Sequence, residues 1–474
     1  MIDLAVLHGI VGEQHVLTGD AAAPYLSDWR GRYIGAALAV VRPGSTAEFA
    51  ALVRLCADAG VPVVPQGGNT GLCGGATPDA SGRAVLLSTQ RLNRIRAIDR
   101  DNDTMDVEAG CVLQEVQQAA HEVGRLFPLS LGSEGSCTVG GNLATNAGGT
   151  QVLRYGTMRE LTLGLEVVTA QGDIWHGLRG LRKDNTGYDL RDLYIGSEGT
   201  LGIITAATLK LYPLPVARCT ALLALSSIED AIRTLTLARQ GFGASLTGFE
   251  LMAGNCLQAV QRCFPAQQLP FDAVSAALPW FALLELSDSE SEARARERFE
   301  TVLGEAIEAG CVRDAVIAGS LAQSRALWHL RESIPLAERE LGKCIKHDIS
   351  IPVSRMAAFV RDTNQALQQA FPGVQHVIFG HLGDGNLHYN VAHGEHGSES
   401  DLLARQDAVF EVVHDRVHAV GGSISAEHGV GQLKRDALSR YKDPVELALM
   451  HRVKRALDPL GIMNPDRVLP PAAI

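Results

Sequence analysis

The chain has 474 residues, 46% of them hydrophobic and 20% charged, with a net charge of -11. That length exceeds one ordinary core and predicts a globular protein of about two or three domains. The acidic balance, without any basic block or stripe, argues against nucleic acid as a partner; an anionic ligand would need a local cationic pocket.

The opening Met-Ile-Asp-Leu-Ala-Val-Leu-His has no basic n-region, and no run approaches the ~18 apolar residues of a membrane span. Neither secretion nor a transmembrane segment is expected. The nine cysteines are scattered, with no C-x-x-C pair. They fit reduced thiols in a cytoplasmic enzyme and argue against iron–sulfur clusters, structural zinc and a disulfide framework.

In chain order, residues 36–41 are an apolar run ending in Arg-Pro-Gly. Ser45 and Glu48 form a capping box for a helix that runs to Ala59 and stops at Gly60. Residues 61–64 make a short strand that delivers the chain into Pro65-Gln-Gly-Gly-Asn-Thr-Gly71, continuing to Gly75. A second glycine-rich loop runs from Gly132-Ser-Glu-Gly135-Ser136 through Gly140-Gly141-Asn142-Leu-Ala-Thr145 to Gly148-Gly149. A third, Gly196-Ser-Glu198-Gly199-Thr-Leu-Gly202, leads into a strand at Ile203. The stretch 211–215 has two prolines in three residues and predicts a linker. Beyond it, strand-like runs (220–225, 280–286, 345–351, 376–379) alternate with helical ones (227–240, 288–310). This is the texture of an α+β domain with a largely antiparallel sheet. The last fifty or so residues carry a helical pattern.

Any one glycine loop alone most often makes only tight turns. Three of them, each rich in Asn, Thr or Ser, point to backbone amides crowded around a large anionic ligand. The G-x-G-x-x-G pattern is absent, and Gly342-Lys343 is followed by Cys344, so a nicotinamide dehydrogenase and a P-loop ATPase lose their main support.

The segment His381-Leu-Gly-Asp-Gly-Asn-Leu-His388-Tyr-Asn390 carries the second chemical signal. Read as a hairpin with Asp384 in a type I′ turn, it puts Leu387, Tyr389 and Val391 on one face. Asn386, His388 and Asn390 share the other, with His381 opposite on the neighbouring strand. Two histidines and a carboxylate would make an open divalent-metal site, Zn²⁺ first. Ser425-Ala-Glu427-His428-Gly follows about forty residues later.

Together these motifs resemble the vanillyl-alcohol oxidase/p-cresol methylhydroxylase flavoproteins. Within them, the chain resembles the FAD-linked D-2-hydroxyacid dehydrogenases, with the D-2-hydroxyglutarate enzymes the nearest subgroup. The resemblance covers nearly the whole chain. It implies an α+β architecture of three parts: a two-subdomain FAD-binding domain (1–215), a substrate or cap domain holding the metal site (216–425), and a C-terminal segment (426–474) that returns to the FAD domain.

It further implies that Gln66, Gly67, Gly68, Asn69, Thr70 and Gly71 wrap the FAD pyrophosphate, with Pro65 and Gly75 also binding the cofactor. Gly132, Gly135, Ser136, Gly140, Gly141, Asn142, Thr145 and Gly148 would line the rest of the cofactor. Glu198, Gly199 and Ile203 would hold its adenine and ribitol side, and Asn464 would lie near the ring. Asn69 stands where some relatives carry a flavin-tethering histidine, so the FAD is expected to be non-covalent.

The resemblance makes His381, His388 and Glu427 ligands of Zn²⁺ (or Mn²⁺ or Co²⁺). It makes Arg331, Lys346, Asn390 and His428 substrate contacts, with His428 the base that takes the hydroxyl proton. The implied reaction is oxidation of a D-2-hydroxy acid, D-2-hydroxyglutarate favoured, by hydride transfer to flavin N5. Pro335 departs from the hydroxyglutarate pattern, which has a hydroxyl there, and this keeps D-lactate and D-malate open. A flavin oxidase, or a glycolate-oxidase-type subunit, is the alternative on the same fold. A zinc hydrolase would leave the glycine loops without a purpose. The electron acceptor implied is an electron-transfer flavoprotein or a quinone, and the assembly a homodimer.

Overall fold

The computed structural model describes residues 2–394 and 397–471. It divides into two compact units. The first comprises residues 1–148, 156–214 and 427–474; the second comprises 149–155 and 215–426.

The first unit holds two sheets. In one, β1 (Val16–Leu17), β2 (Ala39–Val41), β3 (Val63–Gln66) and β4 (Val85–Ser88) lie in the order β1-β2-β4-β3. The three strands β2, β4 and β3 are parallel. Parallel neighbours need a crossover, and helix α1 (Thr46–Ala59) between β2 and β3 supplies it. Its start follows the sequence: the Ser45 hydroxyl accepts from the Glu48 amide, and Gly60 ends it at φ 62°. The Glu48 carboxylate caps the Gly44 amide at 2.7 Å, one residue before the position a strict capping box uses.

The other sheet contains β5 (Ile95–Asp99), β6 (Thr104–Glu108), β7 (Thr162–Thr169), β8 (Ile174–Gly177) and β9 (Gly202–Lys210). Its order is β5-β6-β9-β7-β8, antiparallel throughout. The C-terminal segment returns to the first sheet, where Met463 bridges to Val63 and the Asn464 amide donates to the Val63 carbonyl.

The second unit is built on one antiparallel seven-stranded sheet. Its strands are β10 (Ala217–Leu225), β11 (Leu246–Ala253), β12 (Trp280–Asp288), β13 (Asp314–Ile317), β14 (Asp348–Ser350), β15 (Gln375–Gly380) and β16 (Asn386–Ala392). Their order is β13-β10-β12-β11-β15-β16-β14. Helices α2 (Ile228–Phe242) and α3 (Glu292–Glu308) bury one apolar stripe each, including the stacked pair Phe242 and Phe299.

Helix α4 (Leu321–Glu332) docks differently, through a polar stripe at helical spacing. Ser324 meets the Thr220 hydroxyl at 2.7 Å, Trp328 donates to Glu285 at 2.6 Å, and Arg331 donates to Glu250 at 2.8 Å. Buried polar groups are tolerable only when bonded in this way.

The two units part at 214/215, inside the stretch read as a linker, and residues 212–213 just before it form a two-residue ladder with Arg125–Leu126. Two expectations change. His381 is not on a strand: β15 ends at Gly380, and the residue opposite His388 is Phe379. The turn is not type I′, because Gly385 is at φ 86° but Asp384 is not among the positive-φ residues. Asp384 instead accepts the Asn386 amide at 3.0 Å, as an Asx turn does.

All nine cysteines are free thiols. Among the described residues no helix is long and apolar enough to cross a membrane.

Replacing Ser45 by Ala removes the cap of α1 and should cost about 1 kcal/mol. A lowered urea midpoint with an unchanged slope would register that loss.

Candidate active site

In the first unit the three glycine loops converge on one cleft. The glycines are needed for contact between loops as much as for any ligand. A Cβ on Gly68 would sit 2.0 Å from the Ser136 carbonyl, and one on Gly67 2.4 Å from the Thr138 hydroxyl. A Cβ on Gly199 would strike the Pro65 ring at 2.4 Å, which locks the third loop to the first. The Glu198 amide donates to the Ala144 carbonyl at 2.8 Å and ties the third loop to the second. Side-chain amides hold the first loop in place: Gln66 donates to the carbonyls of Tyr25 and Ala76, and Asn69, at φ 54°, to that of Ser27.

Residues 65–71, Gly75, Gly140, Gly141, Asn142, Thr145, Glu198, Gly199 and Ile203 line the cleft. Gly132, Gly135, Ser136 and Gly148 are not among its lining residues. Neither is Asn464, whose side chain donates to the carbonyls of Gly75 and Glu198. Thr138, Cys137 and Cys73 line it and were not singled out from the sequence. The Thr138 hydroxyl is buried with no partner in the protein, as expected of a group that awaits a ligand.

His428 also lines this cleft. Its loop is held by Glu198, whose two carboxylate oxygens accept the amides of Val430 (2.7 Å) and Gly431 (2.8 Å). Burial pushes the Glu198 carboxyl pKa up, against those two hydrogen bonds and the charges of Lys434 and Arg467. The Cys73 carbonyl accepts the Gln432 amide at 2.9 Å from the same loop. Glu427 belongs to this unit as well.

The second unit carries the remaining predicted residues, and four of them, Arg331, His381, Lys346 and Asn390, are grouped around two buried carboxylates. Glu250, on β11, accepts from Arg331 Nε at 2.8 Å and from His381 Nδ1 at 2.7 Å. Burial alone would raise its pKa; the charges of His381 and Arg331 outweigh that and hold the carboxyl below the usual range. In its neutral form with Nδ1 donating, as a metal on the ring would require, His381 has its lone pair on Nε2, the arrangement of a metal-binding imidazole. The Arg331 guanidinium also lies 4.9 Å from the centre of the Phe379 ring.

Glu338 is the other carboxylate, in the short turn after helix α5 (Ile334–Ala337). It is ion-paired with Lys346 and accepts from Asn390 Nδ2. Asn390 and His388 share one face of β16, while Leu387, Tyr389 and Val391 are sealed in the core. The His381 and His388 rings are 5.7 Å apart.

Asp348 faces His388 across the strand pair β14–β16. Its oxygens accept from Asn386 Nδ2 (3.0 Å) and from the Ala426 amide (3.1 Å). Glu250, Glu338 and Asp348 were all missed from sequence. Nothing local marks them, since their partners lie in other elements.

A family model described as "FAD linked oxidases, C-terminal domain" matches residues 214–468, and one described as "FAD binding domain" matches 37–177. The D-2-hydroxyglutarate dehydrogenase of Xanthomonas citri pv. viticola is 40% identical over 449 residues, covering 94% of this chain and 92% of its own. The mitochondrial D-2-hydroxyglutarate dehydrogenase of Bos taurus is 38% identical, covering 99% of this chain and 83% of its own. Among solved structures, a p-cresol methylhydroxylase with substrate bound aligns at TM-score 0.74 and 17% identity, covering 98% of this chain and 95% of that one. An alkyldihydroxyacetonephosphate synthase aligns at 0.73 and 18%, covering 98% and 84%. These two share the fold.

Gly68→Ala drives a methyl into the Ser136 carbonyl and should cost about 1–3 kcal/mol of local packing. Purified Gly68→Ala protein is therefore expected to carry less flavin than wild type at equal protein concentration, measured by visible absorbance.

Proposed function

We propose that this chain, which belongs to the FAD-linked D-2-hydroxyacid dehydrogenases of the vanillyl-alcohol oxidase/p-cresol methylhydroxylase family, oxidises a D-2-hydroxy acid to the 2-oxo acid. The observation that carries the reading is the cleft walled by three interlocked glycine loops with His428 on its wall. The names of its relatives support a D-2-hydroxy acid as the donor.

FAD, when bound in this cleft, supplies the acceptor for a hydride and its two electrons. The orphaned Thr138 hydroxyl and the glycine-lined walls fit such a ligand. A divalent metal, when bound, acidifies the substrate hydroxyl. The donor set proposed for it is His381, His388 and Glu427. The Nδ1 hydrogen bond from His381 to Glu250 supports that role, because it fixes the ring's tautomer.

The chain's own residues then divide the work. His428 takes the hydroxyl proton as the C2–H bond breaks and C2 becomes the carbonyl carbon. Glu198 holds the loop that carries His428 and so limits its motion. Arg331 receives a carboxylate, its orientation set by Glu250 through one N–H while the guanidinium keeps further donors.

Anaerobic mixing with D- and L-2-hydroxy acids tests the reaction: the flavin should bleach with the D acids alone, and a flavin indifferent to all of them sinks the reading. His428→Ala should keep its flavin yet reduce it at least about 100-fold more slowly. For the metal, His388→Ala and Glu427→Ala should each retain flavin and lose bound Zn²⁺ by elemental analysis. Metal content equal to wild type in both would remove these residues from the donor set.

A further inference from the structure

The two cations proposed to receive substrate are not equally available. Arg331 gives Glu250 one N–H of a guanidinium that has several. Lys346 is a point charge, and Glu338 neutralises it.

The seat around Glu338 is complete. Its carboxylate is 4% exposed, with Lys346 on one oxygen and Asn390 Nδ2 on the other. Asn390 cannot turn its amide away, because its Oδ1 accepts the His347 backbone amide at 3.2 Å. One ammonium and one oriented NH₂ group thus make an anion site whose anion comes from the chain itself. Asn390 follows His388 on the same face of β16 by two residues, roughly 7 Å along the strand. That is the length scale between the reacting end and the far end of a short acid.

We propose that Glu338 is a specificity-determining residue: it fills the seat where a second substrate carboxylate would go, so the chain takes D-2-hydroxy acids whose far end is uncharged. The inference rests on the D-2-hydroxy acid reading above and deepens it. A dicarboxylate entering this seat meets a fixed negative charge rather than a free ammonium. To bind there it must displace Glu338 and leave that carboxylate buried without its partners. Pro335, in the turn of helix before Glu338, offers no hydroxyl that could compensate.

The test measures anaerobic flavin reduction by D-lactate, D-2-hydroxybutyrate and D-2-hydroxyglutarate, in wild type, Glu338→Gln and Glu338→Leu. Wild type should show a higher kcat/KM with the monocarboxylates. Glu338→Gln releases the Lys346 charge and should raise kcat/KM for D-2-hydroxyglutarate about 10-fold or more, mainly through KM. The monocarboxylate values should move less than about 3-fold. Adding Lys346→Met to Glu338→Gln should cancel the gain, which a purely structural role for Glu338 does not predict.

Titration of oxidised wild type with pyruvate and 2-oxoglutarate, followed through the flavin spectrum, gives the same ordering without turnover or any variant. The inference is overturned if wild type prefers D-2-hydroxyglutarate to both monocarboxylates. It is equally overturned if flavin-replete Glu338→Gln and Glu338→Leu keep the wild-type ratio. Failure of every D-2-hydroxy acid to bleach the flavin is a different result; it removes the reaction class and this inference with it.

Discussion

Glu250 stands on the middle strand of the seven-stranded sheet with 1% of its surface exposed, and a carboxylate there survives only because an arginine and a histidine are bonded to it. Removing water from a charge costs several kcal/mol, and a lone buried carboxylate would take up a proton instead. The pair of partners resolves that conflict and, in doing so, fixes three elements at once. Helix α4 is anchored through Arg331, the turn after β15 through His381, and both through β11. The same bonds choose the tautomer of one proposed metal ligand and the tilt of one proposed substrate ligand. A site assembled in this way is stiff because of the charges buried beneath it, which a purely apolar floor would not provide.

The features legible in the sequence were those whose cause is local. Ser45, Glu48 and Gly60 announce a helix because capping involves residues within one turn of each other. The alternation in 386–391 announces a half-buried strand because side chains alternate across a sheet. The glycine loops announce close backbone approach, although part of that approach turned out to be loop against loop: Gly67, Gly68 and Gly199 are small because Thr138, Ser136 and Pro65 are adjacent.

What stayed hidden depended on long-range pairing. Glu250 meets its partners 81 and 131 residues away, and Asp348 meets Asn386 and Ala426 across 38 and 78. An acidic residue in a helix or strand carries no mark of such a partner. A type I′ turn at Asp384 would put His381 on a strand; the turn between Gly380 and Asn386 is longer and wraps around Asp384. Lys346 and Asn390 are legible through family likeness, while the carboxylate joining them is not, since Glu338 lies 8 and 52 residues from them and carries no local mark of either partner.

The discontinuity of the first unit has a consequence for how the molecule comes into being. Gly75 and Asn464 are hydrogen-bonded partners 389 residues apart, and the carboxylate of Glu198 is satisfied by amides that lie 232 and 233 residues downstream. On a ribosome, residues 215–426 emerge in full before those partners exist. The second unit can therefore reach its final hydrogen-bonding pattern while Glu198 still waits for the amides of Val430 and Gly431. The wall of the cofactor cleft that carries His428 is thus supplied only after the whole second unit has been made.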